Sequence, residues 1–204
     1  MIALLLNSGL GTRMGDETQE HPKCMTKISD RETIISWQPK CLECIGVTDA
    51  VVTTGHLSDL LADQEVLSRH RGLVMHPEAM ARRAGSPVSA VTVDSTLPLP
   101  EKDFKGRIRD GQPMEVGVNV YGEDCVELQP AYRFLAADFD RWMQEIRRFI
   151  AEGTEKVYAE NAFNAVWEEI PVYPLDLAGL LCAEIDNQAD KEYVSARFAK
   201  EVLA

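Results

Sequence analysis

Apolar residues run unbroken from Ile2 to Leu6 and stop at the polar, glycine-containing stretch Asn7 to Gly15. A short apolar run bounded by turn residues predicts a buried strand. Ile34, Trp37, Cys41 and Ile45 then recur at helical spacing, with Gly46 placed to end the helix. Pro39 falls inside that pattern, and an interior proline costs roughly 3 kcal/mol, which predicts a kink or a start near Pro39. Ala50 to Thr54 reads as a second strand closing a right-handed βαβ unit.

From about Gly55 to Gly85 the pattern is poor, with one helix expected around Leu60 to Arg69 and no strand. Strands are expected at Ser89–Val93 and Glu115–Val120, and another between Glu101 and Arg109. Leu135, Phe139, Trp142, Met143, Ile146, Phe149 and Ile150 line one face of an amphipathic helix, with Asp138 early, Arg148 late and Gly153 as its stop. Shorter helices are expected around Glu160–Glu168 and Ala189–Val202. Strands alternating with helices imply an α/β chain, a three-layer α/β/α sandwich around a mostly parallel sheet, in a single domain over 1–204.

Composition narrows the function more than the fold. With 45% apolar and 26% charged residues in 204, the chain can bury a full core. A net charge of −12 argues against long nucleic acids, which are held by clustered Lys and Arg, while a small anion can still bind a local basic pocket. The apolar opening lacks a basic lead and ends within six residues, so it reads as neither signal peptide nor membrane span. The five cysteines do not suggest a secreted disulfide framework, and a cytoplasmic protein with no membrane partner is expected. Cys41 and Cys44 lie on the apolar helix face and read as core ahead of a zinc or redox site.

The densest chemical signal is Leu6-Asn7-Ser8-Gly9-Leu10-Gly11-Thr12-Arg13-Met14-Gly15, followed by Pro22-Lys23. Glycines let backbone N–H groups close around phosphate oxygens, and Arg13 and Lys23 add positive charge. A tight structural turn with exposed surface cations is the plainer explanation. A dinucleotide fingerprint needs a glycine where Met14 stands, and the Gly-Lys-Ser/Thr ending of the Walker loop is absent.

Leu-x-x-Gly-x-Gly-x-Arg-Met with a following Pro-Lys resembles the signature loop of the sugar-phosphate and choline-phosphate nucleotidyltransferase superfamily. The resemblance continues through Glu32-Thr33-Ile34, Leu97 to Lys105, Tyr158 to Asn164 and Cys182 to Asn187, most like the phosphocholine cytidylyltransferase-like branch. It implies a Rossmann-like nucleotidyltransferase sheet and transfer of CMP from CTP to a small phosphorylated amine such as phosphocholine, or a related phosphonate, with Mg²⁺ and release of pyrophosphate. By the same resemblance Ser8, Gly9, Gly11 and Thr12 contact the nucleotide, Arg13 and Lys23 stabilise the transition state, Asp186 binds the metal, and Glu160 and Asn161 face the acceptor; a homodimer is admitted. Fixed cations suit a reaction in which a phosphate oxygen attacks the α-phosphorus and charge builds on pyrophosphate.

Each role has a structural alternative. Asp186 could cap the C-terminal helix, Glu160 could be an ordinary first-turn acid, and Lys105 could touch substrate phosphate or sit with Lys102 in a solvated charge cluster. Trp37 and Trp142 fit the core, while Trp167 could line a cation pocket. Relative to the family the chain is shortened between about 55 and 64, where a strand usually ends in the first acidic metal ligand; Asp63 is the nearest substitute. A sugar-1-phosphate nucleotidyltransferase and a catalytically silent nucleotide-binding relative therefore stand beside the cytidylyltransferase reading.

Overall fold

The computed structural model describes residues 1–7, 14, 21–54, 73–154 and 156–203. The chain divides into two compact units, Met1–Ala81 with Leu180–Ala204, and Arg82–Gly179. Among the described residues no helix is long and apolar enough to cross a membrane.

In the first unit β1 (Ile2–Asn7) and β2 (Asp49–Thr54) pair in parallel, Ile2 opposite Asp49 and Asn7 opposite Thr54. Between them runs α1 (Ile34–Cys44). Its start is set by a reciprocal cap, because the Thr33 hydroxyl accepts from the Ser36 N–H while the Ser36 hydroxyl accepts from the Thr33 N–H. The helix therefore begins well before Pro39 and carries it inside, so the expected alternative start near Pro39 does not occur. Gly46, at φ 72°, takes the left-handed conformation that ends it. Cys41 is buried and its thiol points at the Met75 carbonyl, but Cys44 is exposed, so the two cysteines do not share the apolar face.

Two elements fall where no strand was expected. β3 (Leu73–Met75) is buried throughout and pairs antiparallel with β9 (Cys182–Glu184), and α2 (Pro77–Gly85) follows it directly. Three residues are too few to show a period, although Pro77, Glu78, Arg82 and Arg83 are ordinary helix-end signals. The expected helix at 60–69 and the substitute acid Asp63 lie outside the described residues. The C-terminal α5 (Gln188–Glu201) closes the unit. Its Phe198 meets Trp37 edge-on at 4.8 Å, within a core of Ile28, Ile34, Val74, Leu181 and Ile185.

The second unit is a five-stranded sheet in the order β6 (Gln112–Gly117), β5 (Lys105–Arg109), β7 (Cys125–Arg133), β4 (Ser89–Asp94), β8 (Val172–Asp176). Helices α3 (Ala136–Ala151) and α4 (Ala159–Asn164) accompany it. Its core gathers Val91, Val93, Leu128, Phe163, Ile170 and Trp142, with Trp167 packed against them. Trp167 is thus engaged with the core, as Trp37 and Trp142 are.

Among the described strands, β1–β2 and β4–β8 are parallel, whereas β3–β9, β4–β7, β5–β6 and β5–β7 are antiparallel. The α/β class holds, but these pairings are not mostly parallel. Two local features explain the difference. Asp110 and Gly111, at φ 50° and 76°, form the two-residue turn that folds β6 back on β5. That turn also fixes β6 earlier than the expected 115–120 strand. The unanticipated β7 then enters between β5 and β4, with a register break from Val91–Tyr132 to Thr92–Gln129 that leaves Pro130 and Ala131 in a bulge. The Thr92 hydroxyl lies 3.1 Å from the Gln129 carbonyl and 3.2 Å from that of Ala131, close enough to donate to either at the bulge.

Candidate functional site

Pro22 holds an extended backbone and feeds a single 3₁₀ turn, Lys23–Met25, closed by a 2.8 Å bond from the Met25 N–H to the Pro22 carbonyl. Cys24 is fully buried and anchors the turn, so the Lys23 stem is held against the protein rather than extended into water. From the far end of the chain, β9 passes through the buried Ile185 to Asp186. The Lys23 ammonium makes a close ion pair with Asp186, and the two side chains are only 10% and 15% exposed.

The backbone around Asp186 is fixed independently of that ion pair. Asp190 Oδ2 accepts from the N–H groups of Asp186 at 2.8 Å and Asn187 at 3.1 Å, while the Asn187 side chain accepts from the Asp190 N–H at 3.0 Å. Asn187 is therefore the cap of α5, and the reading in which Asp186 caps that helix is overturned. The Asp186 carboxylate meets the Lys23 ammonium. Likewise the alternative that Lys23 is an exposed surface cation fails, because its ammonium is paired and its residue is buried. Ser8, Gly9, Gly11, Thr12 and Arg13 lie outside the described residues.

Glu160 and Asn161 belong to the second unit, in the first turn of α4. Glu160 is buried, and its carboxylate accepts from the Tyr132 hydroxyl at 3.2 Å, whereas Asn161 is exposed. Burial, with Glu160 as a neighbour, raises the Tyr132 phenol well above its ordinary range, so it stays a donor. The helix stops sooner than the expected Glu168 because Asn164 turns its amide to the sheet, accepting from the Val116 N–H at 2.9 Å and donating to the Val116 carbonyl at 2.8 Å.

The same sheet carries a charged row that sequence reasoning did not anticipate. Asp94, Glu127 and Lys105 face one another across β4, β7 and β5. Lys105 has no exposed surface; its ammonium donates to the carbonyls of Pro100 at 2.6 Å and Asp103 at 3.1 Å and lies 4.3 Å from the Tyr121 ring centroid. The solvated-cluster reading of Lys105 is thus overturned, while Lys102 is exposed as expected. Asp94 is buried and bound by the N–H groups of Thr96 and Gly179.

Burial, with Asp94 and Asp103 adding repulsion, pushes the Glu127 carboxyl up to about 7. Because the folded chain holds this proton more tightly than the unfolded chain, the stability it contributes is complete below about pH 4.5 and is lost as pH rises through 7. Glu127→Gln mimics the protonated form, so urea unfolding should show the variant more stable than wild type at pH 8 by about 1–2 kcal/mol after solvent screening, with the gap closing at pH 5. Parallel pH profiles for the two proteins would remove Glu127 as the source.

No family model matches the chain. A stretch of 61 residues is 33% identical to the CTP:phosphoglutamine cytidylyltransferase of Campylobacter jejuni subsp. jejuni serotype O:2, covering 30% of this chain and 24%, about a quarter, of that relative's length. The CTP:phosphocholine cytidylyltransferase from Streptococcus pneumoniae superposes with a TM-score of 0.75 at 17% identity, over 96% of this chain and 98% of that one. The inositol-1-phosphate CTP transferase from T. maritima gives a TM-score of 0.63 at 17% identity, over 98% and 97%. At such identity the backbone is what is shared. The chain has the mixed α/β fold of nucleotidyltransferases, and the resemblance seen in its sequence extends to its structure.

Proposed function

We propose that the chain is a nucleotidyltransferase that moves CMP from CTP to a small phosphorylated acceptor and releases pyrophosphate. The observation that carries this reading is the Lys23–Asp186 pair, which sets a cation and a carboxylate side by side; in sequence Lys23 follows a stretch holding Gly9, Gly11, Gly15 and Arg13. The 33% identity of a 61-residue stretch to a CTP-using cytidylyltransferase supports the choice of nucleotide.

In this reading Ser8, Gly9, Gly11 and Thr12 surround the nucleotide and Arg13 binds its phosphates. Lys23 neutralises charge that grows on the leaving pyrophosphate, a stabilisation worth most where water is excluded, as at this largely buried ammonium. Strands β1 and β2 are the start of the family's parallel sheet within a three-layer sandwich. Hard divalent cations take oxygen ligands and Mg²⁺ keeps several waters, so a single carboxylate at Asp186 fits such an ion. When bound, Mg²⁺ would offset charge on the triphosphate oxygens.

For the acceptor, the resemblance supplies Glu160 and Asn161, and the buried Glu160 carboxylate offers the negative charge that an ammonium head requires. Phosphocholine, or another phosphorylated amine or phosphonate, is the proposed substrate. A pyrophosphate-release screen of the four common nucleoside triphosphates against phosphocholine, phosphorylated amines, inositol 1-phosphate and sugar 1-phosphates tests both halves. CTP with a phosphorylated amine should give the fastest release; turnover confined to sugar 1-phosphates would overturn the acceptor, and no turnover with any pair would overturn the reaction.

A further inference from the structure

The geometry points to Lys23 as an exchangeable counter-ion: its ammonium occupies a face of Asp186 that a divalent cation would take, so metal enters together with the polyphosphate that draws Lys23 away. This inference rests on the reading of Asp186 as a metal ligand at a nucleotide site. Its support is the arrangement of the pair. Both side chains are largely shielded from water, so each needs compensating charge nearby. Asp186 is fixed through Asp190 and the capped start of α5, whereas lysine is a point charge on a flexible four-carbon stem. The lysine is the partner able to move.

Charge accounting sets the order of events. Lys23 and Asp186 cancel, so a divalent ion arriving alone meets an ammonium within a few ångströms in a shielded setting, where like charges repel strongly. A nucleoside triphosphate reverses this, because its phosphates attract both the ammonium and the metal. Lys23 can then pass from carboxylate to phosphate without becoming an unpaired buried charge, and the face of Asp186 that it covered opens to the ion at the same moment.

Mn²⁺ titrations of the nucleotide-free full chain, followed by electron spin resonance and by melting temperature, test the exchange in wild type, Lys23→Met, Lys23→Gln, Asp186→Asn and the Lys23→Met/Asp186→Asn double variant. Wild type should bind Mn²⁺ weakly. Lys23→Met should bind it about tenfold tighter or better and recover melting temperature on Mn²⁺ addition, as expected when a neighbouring like charge is removed. Lys23→Gln, which keeps a hydrogen-bond donor for Asp186, should move the same way even if Lys23→Met folds poorly. Asp186→Asn and the double variant should bind no tighter than wild type.

If neither Lys23 variant gains Mn²⁺ affinity, the exchange is wrong. CTP titration of wild type in the presence of Mn²⁺ separates this from the broader reading. No gain in the variants with CTP still bound overturns the exchange and leaves the transferase reading intact; a gain in the variants without CTP binding keeps Lys23 as the counter-ion that masks Asp186 but overturns both the exchange with polyphosphate and the nucleotide site.

Discussion

Asp186→Asn is expected to lower kcat/KM for CTP-dependent pyrophosphate release by about 10²–10³-fold, equivalent to about 3–4 kcal/mol of lost transition-state stabilisation. Asparagine keeps the shape of the side chain and an oxygen that can still accept from the Lys23 ammonium. It removes the charge, and the charge is what would hold a divalent ion against competing water. The substitution is cleaner here than at most metal-ligand candidates because the start of α5 does not depend on it. That cap is made by Asn187 and Asp190, and Asp190 receives the Asp186 backbone N–H, not its side chain.

Loss of the ion pair has its own cost, since Lys23 stays largely buried beside a neutral partner. A destabilisation of about 1–3 kcal/mol follows, enough to move the melting temperature by several degrees but not to unfold the chain. Kinetics and melting therefore separate. Pyrophosphate release measured over a series of Mg²⁺ concentrations should show the variant needing far more metal to approach its reduced maximum. A folded Asp186→Asn protein with wild-type metal dependence would take Asp186 out of the site.

The same pair shows how far the sequence could be read. The family resemblance implies phosphate chemistry at Lys23 and metal chemistry at Asp186, but the two are 163 residues apart and nothing local says that they touch. The resemblance gives Lys23 a phosphate as its partner, and the fold adds a second one, Asp186. That Asn187 and not Asp186 caps α5 was also beyond the sequence, because the two are adjacent and both residue types cap helices well.

Elements with a strong period were legible. The helix α3 repeats its apolar positions over four turns, and the observed Ala136–Ala151 span, with Gly153 at φ 74° after it, matches the expectation closely. Strand β7 was not legible, although it sits inside the sheet. Its alternation is interrupted by Pro130 at a bulge, and Glu127 and Gln129 are polar residues that read as exposed until Asp94 and Lys105 are placed beside Glu127 and Thr92 beside Gln129. Asp110-Gly111 was the available signal for antiparallel pairing, since a two-residue Asp-Gly turn strongly favours a hairpin. Three-residue strands such as β3 carry too little pattern to be found from sequence at all.

Lys105 is the clearest case of tertiary context overriding local character, and removing its ammonium is expected to produce the largest loss of stability from a single polar group in the second unit. In sequence it stands among Glu101, Lys102 and Asp103, a run that ordinarily faces water. In the fold its side chain is fully enclosed, donates to the carbonyls of Pro100 and Asp103 and lies under the Tyr121 ring, whose hydroxyl donates to the Glu101 carbonyl at 3.1 Å. Lys105 and Tyr121 thus hold the 95–104 segment from two sides. Lys105→Met keeps most of the stem volume and leaves two carbonyls without their charged donor, each a loss of about 1–3 kcal/mol when water cannot replace it. A net destabilisation of about 3 kcal/mol should lower the melting temperature by roughly 6–12 °C. Lys105→Ala adds an unfilled space and should cost about 1–2 kcal/mol more. Comparing the two variants divides hydrogen bonding from packing: if Lys105→Met melts with wild type and only Lys105→Ala falls, the side chain acts through its stem, and the ammonium contributes nothing to holding that segment.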